Sequence, residues 1–208
     1  MISRILLICI AGLLPLFNSC TQTLDVNQSK MLVSVKDQKM LLTQHGKPIK
    51  SYKISTSKFG LGDTPRSMRT PLGTMQVAKK IGHGQPKGAV FKSRRPTGEV
   101  LPPNAPGRDP IVTRIMWLKG TERRNKNAFE RYIYIHGTPE ERRIGQKASY
   151  GCIRMTSSDI VDLYSRIGVN AEVKVIKGSL EDSSQGRKYA RMSRIEEKQA
   201  AEGADKNA

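Results

Sequence analysis

Two residues of this chain have the types and the spacing needed for nucleophilic catalysis. Cys152 carries the strongest side-chain nucleophile available to a protein, and His136, sixteen residues earlier, carries an imidazole that accepts a proton near neutral pH. A strand, a loop and a turn can close a separation of that length. The pair therefore predicts a catalytic dyad, with Cys152 as the nucleophile and His136 as the general base and acid.

The residues around Cys152 favour catalysis over a structural role for this thiol. Gly151 has no side chain, so backbone amides there can approach a ligand, and an apolar stripe after residue 156 predicts a helix whose N-terminus favours negative charge. Both features are expected to lower the thiol pKa and to supply donors for an oxyanion. The segment is therefore interpreted as a site for acyl transfer.

For several further residues near the dyad, the sequence allows two alternative roles. The second nitrogen of the His136 imidazole needs a partner, either a backbone carbonyl around Gly137 or the hydroxyl of Ser149. Arg154 either binds a substrate carboxylate in a bidentate manner or braces the turn by bonding loop carbonyls. Tyr150 either lines the pocket or is an exposed aromatic residue of the turn.

The first twenty residues predict export from the cytoplasm. Residues 1–4 are a short basic start and residues 5–16 an apolar run, too short for a membrane span of about 20 residues. Cys20 ends a segment that resembles the bacterial lipobox, which predicts a lipid anchor on a membrane face, the alternative being an ordinary signal peptide. Cys9 leaves with the signal, so no intrachain disulfide is expected for Cys152.

The chain is strongly basic outside its C-terminal part. It has 36 basic and 18 acidic residues, a net charge of +18, while residues 179–208 contain six of each. An exported protein rarely meets nucleic acid, so no nucleic-acid partner is expected. Anionic wall polymers and lipid phosphates are the expected partners, beside the interpretation that the charge only aids solubility. The chain shows no metal-ligand spacing and no phosphate loop, so neither a metal nor a cofactor is predicted.

The pattern of the chain predicts one mainly β domain over residues 30–178. It follows the signal and a polar spacer at 21–29, and it precedes a polar tail at 179–208 that is expected to be disordered or partly helical. The predicted strands are 31–36, 39–43, 49–56, a strand after the turn at 70–73, 111–118, 131–135 and 171–176. One short helix is predicted after Thr156, with Asp159 in a capping arrangement.

Two segments are expected to shape the site. Residues 81–110 contain six prolines and five glycines, which predicts a long loop that acts as a lid. In the strand at 131–135, alternation puts Tyr132, Tyr134 and His136 on one face and the isoleucines on the other. His136 is therefore expected at the end of a strand, which is stiffer than a loop.

The two chemical segments together resemble a known family. His-Gly-Thr at 136–138 and Ser-Tyr-Gly-Cys-Ile-Arg-Met at 149–155 are similar to the signature of the YkuD-type L,D-transpeptidases, and Thr-Pro-Leu-Gly at 70–73 is similar to that family's Thr-Pro-x-Gly turn. The resemblance covers about residues 31–176. It implies a β-sandwich-like domain with one short helix after the catalytic cysteine and a long, lid-like loop over the site.

The resemblance also implies a reaction. In such enzymes the cysteine attacks the carbonyl of the third residue of a peptidoglycan stem peptide and expels the terminal D-Ala, and an amine then resolves the thioester. The product is a 3→3 cross-link or a protein attached to the wall. By position, Cys152 and His136 are the reacting residues, Ser149 or the Gly137 carbonyl orients the imidazole, and amides around Tyr150 and Gly151 form the oxyanion hole. Many relatives carry His where this chain has Tyr150.

Donor and acceptor stem peptides are the partners that this reaction requires, and the periplasm or cell envelope is the expected location. Two other functions compete with it. An L,D-carboxypeptidase, or another cysteine hydrolase, would use the same site with water in place of the amine. A non-catalytic lipoprotein would bind the wall through its basic surface alone.

Overall fold

The computed structural model describes residues 28–205. The predicted signal at 1–20, Cys20 and most of the spacer at 21–29 lie outside the described residues. The strands are β1 (Ser29–Ser34), β2 (Lys39–Gln44), β3 (Lys47–Lys53), β4 (Gly73–Ile81), β5 (Ala89–Lys92), β6 (Arg95–Val100), β7 (Ile111–Gly120), β8 (Tyr134–Gly137), β9 (Ile153–Met155) and β10 (Glu172–Ile176). The helices of this part are α1 (Ser157–Arg166) and α2 (Ser184–Asp205).

The strands form one mixed sheet, which confirms the mainly β prediction. Hydrogen-bonded neighbours follow the order β3-β2-β1-β10-β4-β7-β5-β6, while β8 pairs with β7 and β9 pairs with β8. The pairs β1–β10 and β8–β9 are parallel. Two backbone hydrogen bonds between Ser55 and Arg154, of 2.9 and 2.8 Å, join the segment after β3 to β9. The sheet therefore closes on itself around an apolar core.

Helix α1 packs on this core through the stripe that the sequence predicts. Its first turn is capped because Thr156 Oγ1 accepts a hydrogen bond from the Asp159 amide at 3.1 Å. Ile160, Leu163 and Tyr164 are buried in the core cluster. The short helix and its capping residue are confirmed.

The stretch at 81–110 differs from the predicted long loop, because part of it forms the hairpin β5–β6. Its two-residue turn, Ser93 and Arg94, has positive φ at both positions, 49° and 67°, without the Gly or Asn that usually marks such a turn. Phe91 packs on the sheet, whereas β6 is exposed along its length. Pro96 is tolerated in β6 because that strand is the edge of the sheet.

Helix α2 occupies most of the segment that the sequence assigns to a disordered or partly helical tail. It packs beside β3, where the hydroxyl of Tyr189 accepts a hydrogen bond from the Ser51 amide at 3.2 Å. Neither this helix nor α1 is apolar and long enough to cross a lipid bilayer.

Candidate active site

Strands β8 and β9 bring the two predicted reacting residues to one face of the sheet. Ile135 lies opposite Ile153 and His136 opposite Arg154, so Cys152 lies beside Tyr134. Ile133 and Ile135 belong to the inner core and Tyr134 to an outer cluster, as the predicted alternation requires. The predicted strand at 131–135 is too early, because β8 begins at Tyr134 and Tyr132 lies before it in a turn with φ +56°. Cys152 directly precedes β9, so it and His136 are diagonal neighbours on adjacent strands. Since side chains alternate along a strand, His136 lies on the same face of β8 as Tyr134.

His136 is held as a neutral base. The side chain is 6% exposed, and its Nδ1 lies 2.8 Å from the carbonyl oxygen of Gly137. A carbonyl can only accept, so Nδ1 carries the proton and Nε2 is left as the acceptor. Burial lowers the pKa of His136 to about 4, although the hydrogen bond to Gly137 acts in the opposite direction. Near neutral pH the imidazole is therefore uncharged and able to accept a proton.

Gly137 itself is required by the close approach of β7. A Cβ atom at this position would lie 2.7 Å from the carbonyl oxygen of Val112, nearer than such contacts occur. The glycine therefore lets β8 and β7 pair at the point where the carbonyl of residue 137 holds the imidazole.

The thiol of Cys152 is also neutral, contrary to the expectation of a lowered pKa. Its Sγ accepts a hydrogen bond from the Tyr134 amide and donates one to the Tyr132 carbonyl, both at 3.4 Å. Burial raises the pKa of Cys152 to about 11, and the Tyr134 amide and the charge of Arg131 offset only part of this. The expectation failed because β9 separates Cys152 from α1, which begins at Ser157.

The hydroxyl of Ser149 does not orient the imidazole, so its predicted catalytic role is corrected. Its Oγ donates to the carbonyl oxygen of Cys152 at 2.5 Å and accepts from the Gly151 amide at 3.3 Å. Thr70 Oγ1 donates to the Gly151 carbonyl at 3.0 Å. Gly151 has φ +120°, a conformation that side chains disfavour. Ser149 and Thr70 thus fix the turn that carries the nucleophile.

Arg154 lies in an acidic clamp, defined here as Arg154, Asp109, Glu140 and Thr138. The arginine is 2% exposed, and its Nη1 forms ion pairs with Asp109 and, at 3.4 Å, with Glu140. The hydroxyl of Thr138 donates to the other oxygen of Asp109. Burial lowers the pKa of the Arg154 guanidinium. These contacts are those of a brace between loops, although the partners are carboxylates rather than the carbonyls that the sequence suggested.

Two nitrogens of Arg154 remain without a partner among the described residues. Nε and Nη2 are both buried and form no hydrogen bond there. Sequence reasoning missed Asp109, because it lies 45 residues from Arg154 at the end of the proline-rich stretch. An acidic residue just before the strand β7 is the only local signal for it.

A cleft of about 500 Å³ opens beside Cys152. Tyr132 and Tyr150, which are 50% and 59% exposed, both line this cleft. Tyr150 also receives a hydrogen bond from Lys58 Nζ at 3.2 Å and lies 5.6 Å from the Phe59 ring. Both alternatives for Tyr150 therefore hold, since it is an exposed aromatic residue and a wall of the cleft.

A buried ion pair, missed in the sequence, includes Arg131, which lines this cleft. Arg131 Nη1 lies 2.8 Å from Asp63 Oδ1, and both side chains are almost fully buried. The same guanidinium donates to the carbonyl of Arg69 at 2.7 Å. This pair holds the loop before β4 against the site. Nothing local in the sequence signals a contact between residues so far apart.

The hairpin β5–β6 reaches the rings next to the nucleophile. Arg94, at its turn, lies 5.1 Å from the Trp117 ring and 5.0 Å from the Tyr132 ring. Trp117 stacks on Phe129 at 4.1 Å. The hairpin therefore covers the outer face of β7 and β8 beside the site, close to where the sequence predicts a lid.

The arrangement as a whole provides a thiol, a neutral base with a fixed tautomer, and an adjoining cleft. No cluster of potential metal ligands occurs among residues 28–201. Such a set of groups can form and resolve a thioester by proton transfer between sulfur and imidazole.

The chain is similar to a known protein family in sequence and to solved structures in fold. Residues 28–175 match the family model of the YkuD L,D-transpeptidase catalytic domain. No curated protein matches the chain. Similar solved structures include L,D-transpeptidase 3 from Mycobacterium tuberculosis with a faropenem-derived adduct, with 15% identity, TM-score 0.48, and coverage of 72% of this chain and 60% of that one. An L,D-transpeptidase from Enterococcus faecium has 16% identity, TM-score 0.46, and coverage of 72% and 50%. The chain thus spans between half and two thirds of the length of these structures.

Proposed function

Because the chain belongs to the family of YkuD L,D-transpeptidase catalytic domains, we propose that it transfers acyl groups between peptidoglycan stem peptides through a thioester on Cys152. One observation carries this proposal. The register of β8 and β9 places Cys152 and His136 as diagonal neighbours on one face, and the Gly137 carbonyl leaves Nε2 of the imidazole as a proton acceptor.

The first half of the reaction forms the thioester. Sγ of Cys152 attacks the carbonyl carbon of the donor's third residue while its proton passes to Nε2 of His136. The backbone amide of Tyr150 is the proposed donor to the resulting oxyanion, since the Gly151 amide already donates to Ser149 Oγ. The carbon–nitrogen bond to D-Ala then breaks, and His136 returns the proton to the departing amine.

The second half resolves the thioester. The amine of an acceptor stem peptide attacks the acyl carbon, His136 takes the proton of that amine, and the carbon–sulfur bond breaks to release the thiol. The product is a 3→3 cross-link when the acceptor is a stem peptide, and a wall-attached protein when the acceptor amine belongs to a protein.

The cleft beside Cys152 suits an acidic peptide. Arg66 and Arg131 lie on its walls, with Glu130 as the opposing charge. Peptidoglycan stems carry free carboxylates. Of the two arginines, Arg66 is the one that is exposed and able to bind such a carboxylate. Arg131 is already paired with Asp63, so it supports the wall rather than the substrate.

The proposal places the enzyme in the cell envelope. Its substrate lies there, and the basic and apolar start at residues 1–16, outside the described part of the chain, supports export. A lipid on Cys20 would hold the enzyme next to the wall.

Analysis of muropeptides by mass spectrometry tests the proposal. The full chain, incubated with purified tetrapeptide muropeptides, is expected to release D-Ala and to form 3→3 dimers, and Cys152→Ala and His136→Ala are expected to abolish both products. The matched control is His45→Ala, which alters an exposed histidine of the turn between β2 and β3. Release of D-Ala without dimers, even with excess acceptor amine, would instead establish an L,D-carboxypeptidase. No change of any product in Cys152→Ala would contradict the proposal.

A further inference from the structure

Helix α2 lies beyond the part of the chain that matches the family, and its two faces differ in character. The family match ends at residue 175, whereas α2 spans Ser184–Asp205. The face toward the domain carries Gly186, Tyr189 and Ser193, at the spacing of one helical stripe. These residues are buried or partly buried beside β2 and β3.

The opposite face combines basic and apolar side chains. Lys188, Arg191, Met192 and Ile195 recur at i, i+3, i+4 and i+7, so they form a single stripe. Met192 and Ile195 are 39% and 48% exposed, although both are large apolar residues. Arg194 flanks the stripe, and its side chain is 74% exposed. We call this surface the outward stripe.

The charge of the outward stripe is not neutralised by the domain. Lys188 and Arg191 form no ion pair with residues 28–201, and Arg194 has only a 3.8 Å contact with the exposed Glu181. The C-terminal segment as a whole is balanced, with six basic and six acidic residues from 179 onward. Within α2, the basic residues of positions 187–194 precede the acidic residues of positions 196 and 197, so positive charge is concentrated in the first half of the helix.

The presence of basic and apolar side chains on the same helical face favours one kind of partner. Basic residues around a few apolar side chains on one helical face are typical of helices that lie in the interface of an anionic bilayer, with the apolar residues among the acyl chains. An anionic polymer such as nucleic acid or a wall glycan would use the charges but leave Met192 and Ile195 in water.

From these features we infer that the outward stripe of α2 binds the surface of an anionic phospholipid membrane. This goes beyond the proposed transpeptidation and does not depend on it. A multi-chain lipid on Cys20 would by itself hold the protein at the membrane. The stripe would then orient the domain on the membrane surface.

Vesicle binding of the full chain tests the inference, with Cys20→Ser introduced to prevent lipid attachment. Partitioning is measured by sedimentation with vesicles of equal parts phosphatidylglycerol and phosphatidylcholine, and with phosphatidylcholine alone. The protein is expected to bind the mixed vesicles preferentially. The triple variant Lys188→Gln, Arg191→Gln and Arg194→Gln is expected to bind about a hundredfold more weakly, since each basic residue near the surface contributes and Gln preserves the helix.

A matched variant separates the effect of the outward stripe on vesicle binding from the effect of net charge. Lys36, Lys147 and Lys177 line another basic cleft, of about 650 Å³, and their triple replacement by Gln removes the same number of charges. It is expected to change partitioning by less than about threefold. Met192→Gln with Ile195→Gln should weaken binding at least about tenfold without any change of charge. Circular dichroism confirms that each variant is folded.

Three results would overturn the inference. Equal losses in the two charge variants would show that net charge alone drives binding. Equal affinity for both vesicle types, or binding to isolated sacculi with none to vesicles, would exclude the phospholipid surface. A change of oligomeric state in Met192→Gln with Ile195→Gln, with vesicle binding intact, would assign the stripe to a second copy of the chain.

Discussion

The two side chains that are proposed to react, those of His136 and Cys152, rest in their neutral forms. Burial lowers the pKa of His136 to about 4 and raises that of Cys152 to about 11, so neither is charged between these values. A thiolate–imidazolium pair, which requires the opposite order of pKa values, is not the resting state. The thiol proton instead lies toward the Tyr132 carbonyl. The proposed reaction therefore requires the thiol to turn from the Tyr132 carbonyl toward Nε2 of His136.

The neutral resting state predicts a distinctive pH dependence of alkylation. Because the thiolate is the reactive form and the pKa of the thiol is about 11, the rate of alkylation of Cys152 by iodoacetamide should rise about tenfold per pH unit from pH 6 to pH 9. Intact-mass kinetics on the wild-type chain give this rate. A plateau over that interval would show an ion pair and contradict the neutral assignment.

At the scale of elements, the acidic clamp joins two loops to β9. Asp109 belongs to the segment between the hairpin β5–β6 and β7, and Thr138 follows β8 directly after the carbonyl that holds the imidazole. Arg154 lies between them with only one nitrogen paired. The clamp therefore ties the base of the covering hairpin to the strand that presents His136.

Removal of one carboxylate from this clamp should lower the free energy of unfolding. Asp109→Asn leaves the buried guanidinium of Arg154 with Glu140 alone, so we expect a loss of about 2 kcal/mol in the free energy of unfolding. The matched change Glu99→Gln breaks the exposed ion pair with Arg108 on the hairpin and should cost less than about 0.5 kcal/mol. Urea denaturation measures both values. Equal effects of the two variants would show that the clamp adds no stability.

A strand or helix can be predicted from the sequence when its hydrophobic pattern and its cap lie within one short segment. The period of two in β8 and the stripe and cap of α1 lie within short segments, so both were predictable. The hairpin β5–β6 was missed because its turn uses Ser93 and Arg94 at positive φ instead of Gly or Asn. The three-residue strand β9 has no periodicity to detect, and its omission produced the wrong expectation for the thiol pKa.

At the scale of the whole molecule, closure of the sheet sets the environment of the site. The hydrogen bonds between Ser55 and Arg154 connect residues about one hundred positions apart, and they complete the ring of strands behind Cys152 and His136. The resulting burial determines both pKa values. Such long-range contacts leave no local trace in the sequence, so the roles of Asp109 and of the pair Asp63–Arg131 could not be predicted from it.

The buried histidine should make the whole fold sensitive to mild acid. The pKa of His136 falls from 6.5 to about 4 on folding, so the unfolded chain binds a proton first as the pH decreases, and up to about 3 kcal/mol of stability is lost between these values. This contribution is fully present above pH 6.5. Denaturation at pH 7 and at pH 4.5 should show a smaller decrease for His136→Gln than for His45→Gln. Identical decreases would contradict burial of a neutral imidazole.

Cys152 is proposed to accept an acyl group, and intact-mass spectrometry with a carbapenem tests this step. A carbapenem presents a strained carbonyl that acylates a reactive thiol without the need for a stem peptide. We expect a mass increase of one carbapenem on the wild-type chain, mapped by proteolysis to the peptide with Cys152, and none on Cys152→Ala. An unmodified wild-type chain, or an adduct that persists in Cys152→Ala, would contradict it.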